Sequence, residues 1–396
     1  MYVKRRIGAC VTKALRQFPV VVLTGPRQSG KTTFVRNELG SRYAYVSMDD
    51  PLQRDFARTD PGGFLDQHGA RPLVLDEIQY APGLLPHIKL RVDRERNRNG
   101  RFVLTGSQQF SVMRDVSESL AGRVAVLDML PFSLAERLAT RPVGLGALLW
   151  TGLYPEPSLS PAKRDLWLRA YVDTYVDRDL RQFLAVRDLA AFEAFVQSCA
   201  AVHGQEFPMA TVSRRCGISQ PTVKAWAGVL EASYLVHLLR PFHRNFGKRV
   251  TKAPKLFFTD PALVAFLTRQ PAPEAALAGA MGGALFEGLV VSEAAKAFSE
   301  RGLRPDLYFW RSHDGLEVDL LVQTRKGLLP IEAKLSATPT LKHVEPMERF
   351  KNLAGSEAAG SGLLVCRVRQ ATPLPHGNLA IPWTEFPAYV RKAIHD

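Results

Sequence analysis

The stretch VVVLTGPRQSGKTTFVRNEL (residues 20–39) sets a glycine-rich loop between an apolar strand pattern and a helical pattern. Its spacing is G-x-x-x-x-G-K-[ST], in which backbone N–H groups and a helix N-terminus surround phosphate oxygens. Gly25 and Gly30 permit turns that a side chain would block. We expect Lys31 to reach the β- and γ-phosphates and the Thr32 hydroxyl to bind Mg²⁺. The nucleotide-binding residues predicted from this loop are Gly25, Pro26, Arg27, Gln28, Ser29, Gly30, Lys31, Thr32 and Thr33.

Two later strand patterns end in side chains that suit such a loop. PLVLDE (residues 72–77) puts acidic groups at the carboxyl end of a strand, where ligands bind in parallel sheets. We expect Asp76 to hold Mg²⁺, directly or through water, and Glu77 to orient or deprotonate the attacking water. The alternative is an exposed acidic turn. FVLTGS (residues 102–107) ends in hydroxyls, so Thr105 or Ser107 is a candidate sensor of the γ-phosphate, unless both are ordinary strand-end hydroxyls.

One arginine is the candidate for a charge supplied to a second subunit. Arg123 follows Gly122 in SLAGRVAVLDMLPFS (residues 119–133), near the start of an apolar strand. Such a residue can act in trans as an arginine finger, which compensates charge on the phosphates of an adjacent subunit. The alternative is a surface arginine. The catalytic residues predicted for the nucleotide site are Lys31, Glu77, Thr105 and Arg123.

The composition favours a cytoplasmic protein that meets polyanions. The formal net charge is +14 over 396 residues. Such an excess attracts nucleic acid, although it also serves solubility alone. The 4 cysteines are scattered without a C-x-x-C pair, which argues against a zinc site or a disulfide framework. No window reaches the roughly 18 apolar residues that a membrane span needs, so we expect no membrane contact.

Strand and helix patterns divide the chain into three predicted domains. Residues 1–140 alternate short apolar runs (20–23, 44–47, 73–75, 102–104 and 124–127) with helical patterns, which predicts an α/β domain with a parallel sheet. A Pro/Gly-rich stretch at 140–161 has the composition of a linker or irregular connection. Residues 160–250 are mostly helical, and WLRAYVDTYVDRDLRQFL (167–184) has apolar residues at three-to-four spacing. Residues 251–396 mix both patterns.

Within the middle region, MATVSRRCGISQPTVKAWAGVLEA (residues 209–232) predicts two short helices joined by a tight turn at Gly217. We expect Ala210, Val212 and Cys216 on the buried side of the first helix, and Ser219 as the N-cap of the second. SYLVHLLRPF follows as a predicted wing strand, so the whole is typical of a winged helix-turn-helix.

This helix pair is a candidate DNA-binding element. Arg214 and Arg215 would contact phosphates, while Gln220, Thr222 and Lys224 would face a groove. The basic run HRNFGKRVTKAPK (residues 243–255) adds cations suited to neutralising the DNA backbone. The alternative is a winged helix used for packing or dimerisation.

The C-terminal region carries a set of residues suited to metal-dependent phosphodiester cleavage. LYFWRSHDGLEVDLLV (307–322) predicts two strands joined at an Asp-Gly turn, and LLPIEAKLS (328–336) a third. Alternate residues share a face, so Glu332 and Lys334 project together, and Asp319 projects from the strand before, with Glu317 on its side. A preceding helical pattern, ALFEGLVVSEAAKAF (284–298), carries Glu287 and Glu293.

This order of helix Glu, strand Asp and Glu-x-Lys resembles the PD-(D/E)xK nuclease superfamily. The resemblance implies that Asp319 and Glu332 bind Mg²⁺ with help from Glu287. Lys334 would stabilise the pentavalent phosphate or activate water. The alternative is an inactive copy retained for DNA binding or packing.

Motifs along nearly the whole chain resemble an AAA-type P-loop ATPase family of bacteria and archaea, in which the ATPase module precedes a C-terminal region of uncharacterised function. The motifs are GPRQSGKTT, MDDP, LVLDEIQ, LTGSQQF, SLAGR, PFSLAE, YVDTYVDRDL, KLFFTDPAL, LFEGLVVSE and EVDLLV. The resemblance implies a sheet of five parallel strands, ATP as ligand, and oligomerisation.

Three hypotheses follow. The first is an ATPase that, as a homo-oligomer, remodels or translocates on DNA, including branched DNA, with Mg²⁺. The second is a nucleotide-controlled switch for oligomerisation or partner binding, with slow turnover. The third is an ATP-regulated nuclease.

Overall fold

The apolar strand that precedes the glycine-rich loop is a central strand of a five-stranded parallel sheet. In the computed structural model, which describes residues 2–95, 98–107, 119–174, 188–242 and 253–395, all of its five residues are buried. The strand order is β2-β3-β4-β1-β5, and every pair is parallel. The strands are β1 (Val20–Thr24), β2 (Ala44–Ser47), β3 (Leu73–Asp76), β4 (Phe102–Thr105) and β5 (Val124–Asp128). The predicted parallel sheet is confirmed, and its carboxyl ends meet at one edge.

Helices cover both faces of this sheet, because successive side chains of a strand point to opposite faces. Val20 and Val22 pack in one apolar cluster with Phe64. Val21 and Leu23 pack in a second cluster, on the other face. The α-helices described in this region are α1 (Gly8–Gln17), α2 (Lys31–Leu39), α3 (Pro51–Thr59), α4 (Pro61–His68) and α5 (Leu84–Arg94).

The chain divides into two compact units whose boundaries differ from the three predicted domains. The first comprises Met1–Pro131 with Ala232–Tyr234 and Ser299–Leu303. The second comprises Phe132–Glu231, Leu235–Phe298 and Arg304–Asp396.

The second unit contains a nine-stranded sheet that runs across the predicted boundary at residues 250 and 251. Its order is β13-β14-β12-β11-β10-β9-β7-β8-β6. Strand β7 (Val236–Pro241) pairs with β8 (Lys255–Phe258) and with β9 (Leu307–Arg311), so strands from both predicted domains share one ladder. The other strands are β6 (Gln205–Glu206), β10 (Glu317–Thr324), β11 (Gly327–Ala333), β12 (Leu363–Cys366), β13 (Thr372–Pro373) and β14 (Leu379–Pro382).

The interpretation of residues 140–161 as a linker is wrong. Helices span Leu145–Thr151 and Pro155–Leu159, and Leu149 and Tyr154 are fully buried. Gly152 ends the first of these helices with a φ of 71°, and Pro155 begins the second, so glycine and proline delimit helices here. The other α-helices that the structure describes from Phe132 onward are Leu134–Leu138, Arg164–Tyr171, Leu189–Ala201, Met209–Cys216, Gln220–Ala232, Pro261–Leu267, Pro273–Ala278, Gly282–Ser299, Glu345–Ala354 and Phe386–His395.

Among the described residues, no helix combines the length and the apolar character that crossing a bilayer would require.

Candidate functional site

The glycine-rich loop leaves β1 at the carboxyl edge of the parallel sheet and enters α2. Gly25 has a φ of 140°, and a Cβ placed there would lie 2.2 Å from the carbonyl oxygen of Met129. Gly30, with a φ of 92°, is the N-cap of α2. Both positions therefore require glycine, and the loop presents backbone N–H groups at a helix N-terminus, as an anion site does.

Lys31, at the start of the helix that follows the loop, is held by backbone oxygens. Its ammonium donates to the carbonyls of Gly25 at 2.9 Å and Pro26 at 2.8 Å. The residue is 5% exposed. Burial lowers the pKa of Lys31 to about 8, while the nearby carboxylates of Glu77 and Asp76 oppose that shift. A bound phosphate would replace neutral carbonyl partners with a charged one.

Asp76, at the end of β3, is in contact with three hydroxyls. Its Oδ2 accepts from Thr32 at 2.8 Å and from Tyr45 at 2.6 Å, and its Oδ1 accepts from the Thr105 hydroxyl. Burial, followed by this hydrogen bond to Asp76, raises the pKa of Tyr45 to about 12. The adjoining Thr32 hydroxyl and Asp76 carboxylate are oxygen ligands of the kind that Mg²⁺ prefers.

Glu77 is fixed beside Asp76 in a conformation that is rare for a non-glycine residue. Its φ is 57°, and its N–H donates to the Thr105 hydroxyl at 3.1 Å. Its Oε2 accepts from Ser107 at 3.2 Å and from the Gln79 amide. Thr105 and Ser107, the predicted sensors, thus both bond to the acid pair. Sequence reasoning missed Tyr45 and Gln79, although Gln79 lies within the motif LVLDEIQ.

Arg5 is a further residue that sequence reasoning missed. Its guanidinium donates to the carbonyl of Ser29, inside the loop, at 2.8 Å, and to the carbonyls of Leu130 at 2.5 Å and Pro131 at 3.2 Å. The residue is 6% exposed. It ties the loop to the segment after β5, and nothing in the local sequence signals this contact.

Arg123 lies immediately before β5, at the sheet edge opposite the glycine-rich loop. Its Nε and Nη2 donate to the two carboxylate oxygens of Asp93 at 2.6 Å and 3.0 Å, and Nη1 donates to the Ala121 carbonyl at 2.9 Å. This position separates Arg123 from the nucleotide site of its own chain. An arginine finger would therefore have to act on a neighbouring subunit, and that role stays a prediction.

The predicted helix pair occupies Met209–Cys216 and Gln220–Ala232, with Gly217 at a φ of 65° between them. Ser219 caps the second helix, since its hydroxyl accepts from the Thr222 N–H at 3.2 Å. Trp226 packs edge-to-face against Phe192 and Phe195.

The predicted DNA-facing residues largely point outward. Those that are exposed are Arg214, Arg215, Gln220 and Lys224. Thr222 is half-buried, with its hydroxyl 2.8 Å from that of Ser219. The placement of Ala210 on the buried side was wrong, because this residue is exposed at the first turn of its helix. Residues 243–252 of the basic run lie outside the described residues.

Acidic side chains predicted from the C-terminal pattern converge in the second unit. Carboxylate oxygens of Glu287, Glu317 and Asp319 lie within 4.8 Å of one another. The Lys334 ammonium is 2.9 Å from Asp319 Oδ2 and 2.7 Å from Glu332 Oε2. Glu332 is 1% exposed, and its Oε1 has no hydrogen-bond partner among the described residues. The predicted set is thus brought together, and Glu317 joins it.

Glu293 lies on the same helix as Glu287 but is not part of the carboxylate cluster. It is buried, accepts from the Leu134 N–H at 2.8 Å and pairs with Lys296 at 2.9 Å. It therefore fixes one helix N-terminus and takes no part in the carboxylate cluster.

The prediction that the basic run supplies cations to the DNA backbone is wrong for Lys255, because this residue is buried. It is 3% exposed; its ammonium is 2.8 Å from Glu287 Oε1 and also contacts Glu317. Burial lowers the pKa of Lys255, but the two carboxylates outweigh burial and raise it overall. Burial and the neighbouring Asp319 raise the pKa of Glu287 to about 7. The oxygens suit a divalent cation, but a metal would compete with this lysine.

Family profiles cover most of the chain. A profile described as AAA domain matches residues 17–138, which include the glycine-rich loop, Asp76, Glu77 and Arg123. Two domains of unknown function follow, DUF8612 at residues 144–274 and DUF4143 at residues 282–386.

Two curated relatives span most of the chain. The uncharacterized proteins Rv2008c of Mycobacterium tuberculosis and Mb2031c of Mycobacterium bovis are each 31% identical over 349 residues, which is 86% of this chain and 76% of the relative.

Among solved structures, the Walker-type ATPase PABY2304 of Pyrococcus abyssi overlaps with a TM-score of 0.44 at 14% identity, over 67% of this chain and 96% of its own. The RuvB Holliday junction branch migration motor of Thermotoga maritima overlaps with a TM-score of 0.31 at 15% identity, over 59% of this chain and 88% of its own. Both scores lie below the level at which a shared fold follows.

Proposed function

We propose that this chain, which has an AAA domain and belongs to the same family as the uncharacterized protein Rv2008c of Mycobacterium tuberculosis, uses Mg²⁺-dependent ATP hydrolysis to remodel or translocate on DNA as a homo-oligomer. The observation that carries the proposal is the constellation at the carboxyl edge of the parallel sheet. There, a buried lysine, a threonine hydroxyl and two adjacent carboxylates surround the exit of the glycine-rich loop.

The residues of this constellation have distinct roles in the proposed reaction. Thr32 and Asp76 would hold Mg²⁺, which supplies charge compensation for the phosphates. Glu77 would position or deprotonate the attacking water, and its orientation is set by Thr105, Ser107 and Gln79. Lys31 would exchange its carbonyl partners for the β- and γ-phosphates.

DNA as the partner rests on the second unit. A helix, a short strand, two helices and two strands follow in the order of a winged helix: Leu189–Ala201, β6, Met209–Cys216, Gln220–Ala232, β7 and β8. Strand β8 pairs antiparallel with both β6 and β7, as the wing of such a fold does. The exposed cations Arg214, Arg215 and Lys224 lie on the two helices that would approach DNA. The net charge of +14 favours a polyanionic partner.

ATP turnover across a panel of nucleic acids tests this function. Steady-state phosphate release would be measured with single strands, duplex, forks, four-way junctions and structured RNA. We expect turnover to rise with DNA, most with forks or junctions. Turnover that is the same with and without DNA of every shape would refute the DNA role, and slow turnover without multiple cycles would favour a nucleotide-controlled switch.

Matched variants assign the DNA contact to the helix pair. Arg214→Ala with Lys224→Ala should weaken DNA binding and make the salt dependence shallower, by about one unit of log-log slope per lost phosphate contact. Lys392→Ala, at an exposed cation of the last helix, is the control and should leave both unchanged. Equal effects of both changes would mean that only net charge matters.

The carboxylate cluster favours a second candidate function, metal-dependent cleavage of DNA. Glu287, Asp319, Glu332 and Lys334 lie together in the second unit, as the nuclease-like pattern requires. Labelled DNA would be incubated with Mg²⁺ or Mn²⁺ beside Lys334→Ala. Absence of metal-dependent cleavage, or cleavage that the substitution leaves unchanged, would exclude this activity.

A further inference from the structure

A tyrosine beyond the second helix of the pair makes contacts beside the glycine-rich loop. Tyr234 is two residues past the end of helix Gln220–Ala232, yet it belongs with Ala232 and Ser233 to the first unit. Its φ is 60°, a left-handed conformation that is unfavourable for a residue with a large side chain. A backbone held this way needs surrounding contacts that outweigh its cost, and those contacts indicate what the residue does.

The Tyr234 hydroxyl closes a triangle with the last residues of two neighbouring strands, β1 and the edge strand β5. It donates to Asp128 Oδ1 at 2.6 Å and lies 2.8 Å from the Thr24 hydroxyl, which itself donates to Asp128 Oδ1 at 2.7 Å. Thr24 ends β1, Asp128 ends β5, and the two are paired in register. Tyr234 therefore joins the two strand ends from which the loop and its supporting segment begin.

This triangle adjoins Gly25, whose hydrogen bond with Lys31 a bound phosphate would have to break. Thr24 precedes Gly25, whose carbonyl holds the Lys31 ammonium at 2.9 Å. A phosphate that recruits Lys31 releases this carbonyl, one peptide from Thr24. The Thr24 and Tyr234 hydroxyls have one proton each for three contacts, while the Asp128 carboxylate only accepts. Tyr234 can donate either to Asp128 or to Thr24, so the triangle has two hydrogen-bond arrangements.

We propose that Tyr234 is a positioning residue that transmits the nucleotide state of the loop along the chain to helix Gln220–Ala232. The proposal rests on the proposed function, because that helix is the one expected to contact DNA. In this role Tyr234 acts through its contacts with Thr24 and Asp128.

Hydrogen–deuterium exchange on the full chain tests this transmission without DNA. Exchange in residues 220–232 would be compared with ADP and with a non-hydrolysable ATP analogue, in the wild type, Tyr234→Phe and Tyr43→Phe. Tyr43 is the matched control, since it is a buried tyrosine whose hydroxyl donates to the Gly100 carbonyl at 2.8 Å, away from the loop. Thr24→Val, which removes another corner of the triangle, is the second test variant.

We expect a nucleotide-dependent difference in exchange in the wild type and in Tyr43→Phe, and its loss in Tyr234→Phe and Thr24→Val. Nucleotide affinity of Tyr234→Phe should stay within about twofold, while the DNA stimulation of turnover should fall about fivefold or more. No difference in the wild type, or an unchanged difference in Tyr234→Phe, would overturn the proposal. A wild type that shows the exchange difference but no stimulation by DNA would refute the DNA function and leave the transmission standing.

Discussion

Substitution of Thr105 by valine removes one hydroxyl and keeps the side-chain volume nearly constant. Thr105 is fully buried; its hydroxyl donates to Asp76 Oδ1 and accepts the Glu77 N–H at 3.1 Å. The second contact holds Glu77 at a φ of 57°, where a non-glycine residue pays about 1–3 kcal/mol. Without this contact, Glu77 can relax away from the position in which, under the proposed function, it would address the attacking water.

The expected loss of kcat in Thr105→Val is estimated from the hydrogen bond that the Thr105 hydroxyl donates to the Asp76 carboxylate. A hydrogen bond to a charged group contributes about 1.5–3 kcal/mol. At about 1.36 kcal/mol per tenfold in rate, its loss lowers kcat by about 10- to 150-fold if it acts on the transition state. Nucleotide affinity should change little, because Lys31 and the loop amides, which we expect to hold the phosphates, remain in place.

Phosphate release at saturating ATP and equilibrium binding of a fluorescent nucleotide separate the two quantities. Thr105→Ser is the control, since it keeps the hydroxyl and loses only a methyl group. Valine and serine variants with kcat values within twofold of each other would refute the reasoning. A valine variant that loses nucleotide binding in step with kcat would show that Thr105 supports the fold of the site and not its catalytic geometry.

Three further predictions concern charged residues. Lys31, with a pKa of about 8, is a cation below that pH and loses its charge above it. The Kd for ATP, measured by titration, should therefore rise about tenfold from pH 7 to pH 9. Lys31→Arg should remove this pH dependence, and a wild-type Kd that does not change with pH would contradict the prediction. Lys255→Ala leaves the buried Glu287 carboxylate without its lysine partner and leaves Glu317 with Arg311. Denaturant unfolding should therefore show that the free energy of unfolding falls by about 3–5 kcal/mol, partly restored by Mn²⁺ only in the variant. A loss below about 1 kcal/mol would contradict this prediction. If Arg123 is an arginine finger that acts in trans, Arg123→Ala should lower ATP turnover by about 10³-fold. Asp93→Ala breaks the same ion pair and should leave turnover nearly unchanged. Equal effects of the two substitutions would mean that Arg123 has only a structural role.

The nucleotide site was predictable because its motif reports local backbone geometry. Gly25 and Gly30 adopt the positive φ values that only glycine accepts readily, and Lys31 begins the helix after them. The five strands begin at the predicted residues, and four extend one residue further. Their alternation with helices specified a parallel sheet, which brings Asp76 to the edge that the loop occupies.

The contacts that completed the site were not predictable, because they join residues far apart in sequence. Tyr45 reaches Asp76 across 31 positions, and Tyr234 reaches Thr24 across 210. An isolated tyrosine carries no local pattern that distinguishes such a partner from a residue of the apolar core. The inward position of Lys255 was missed for a related reason. Its neighbours in sequence are basic, but all four residues of β8 are buried, and its ammonium contacts the distant carboxylates of Glu287 and Glu317.

The two candidate sites differ in what a ligand must displace. At the glycine-rich loop, Lys31 is held by two neutral carbonyls, so a phosphate offers the ammonium a stronger, charged partner. At the carboxylate cluster, Lys255 already forms buried ion pairs, and a divalent cation must remove or share an ammonium that its neighbours stabilise. Binding of nucleotide is thus an exchange that gains charge pairing, whereas binding of metal in the second unit starts from charges already paired. This asymmetry is why ATP hydrolysis ranks ahead of DNA cleavage, and why Lys255→Ala, by releasing the carboxylates, should increase the response to Mn²⁺.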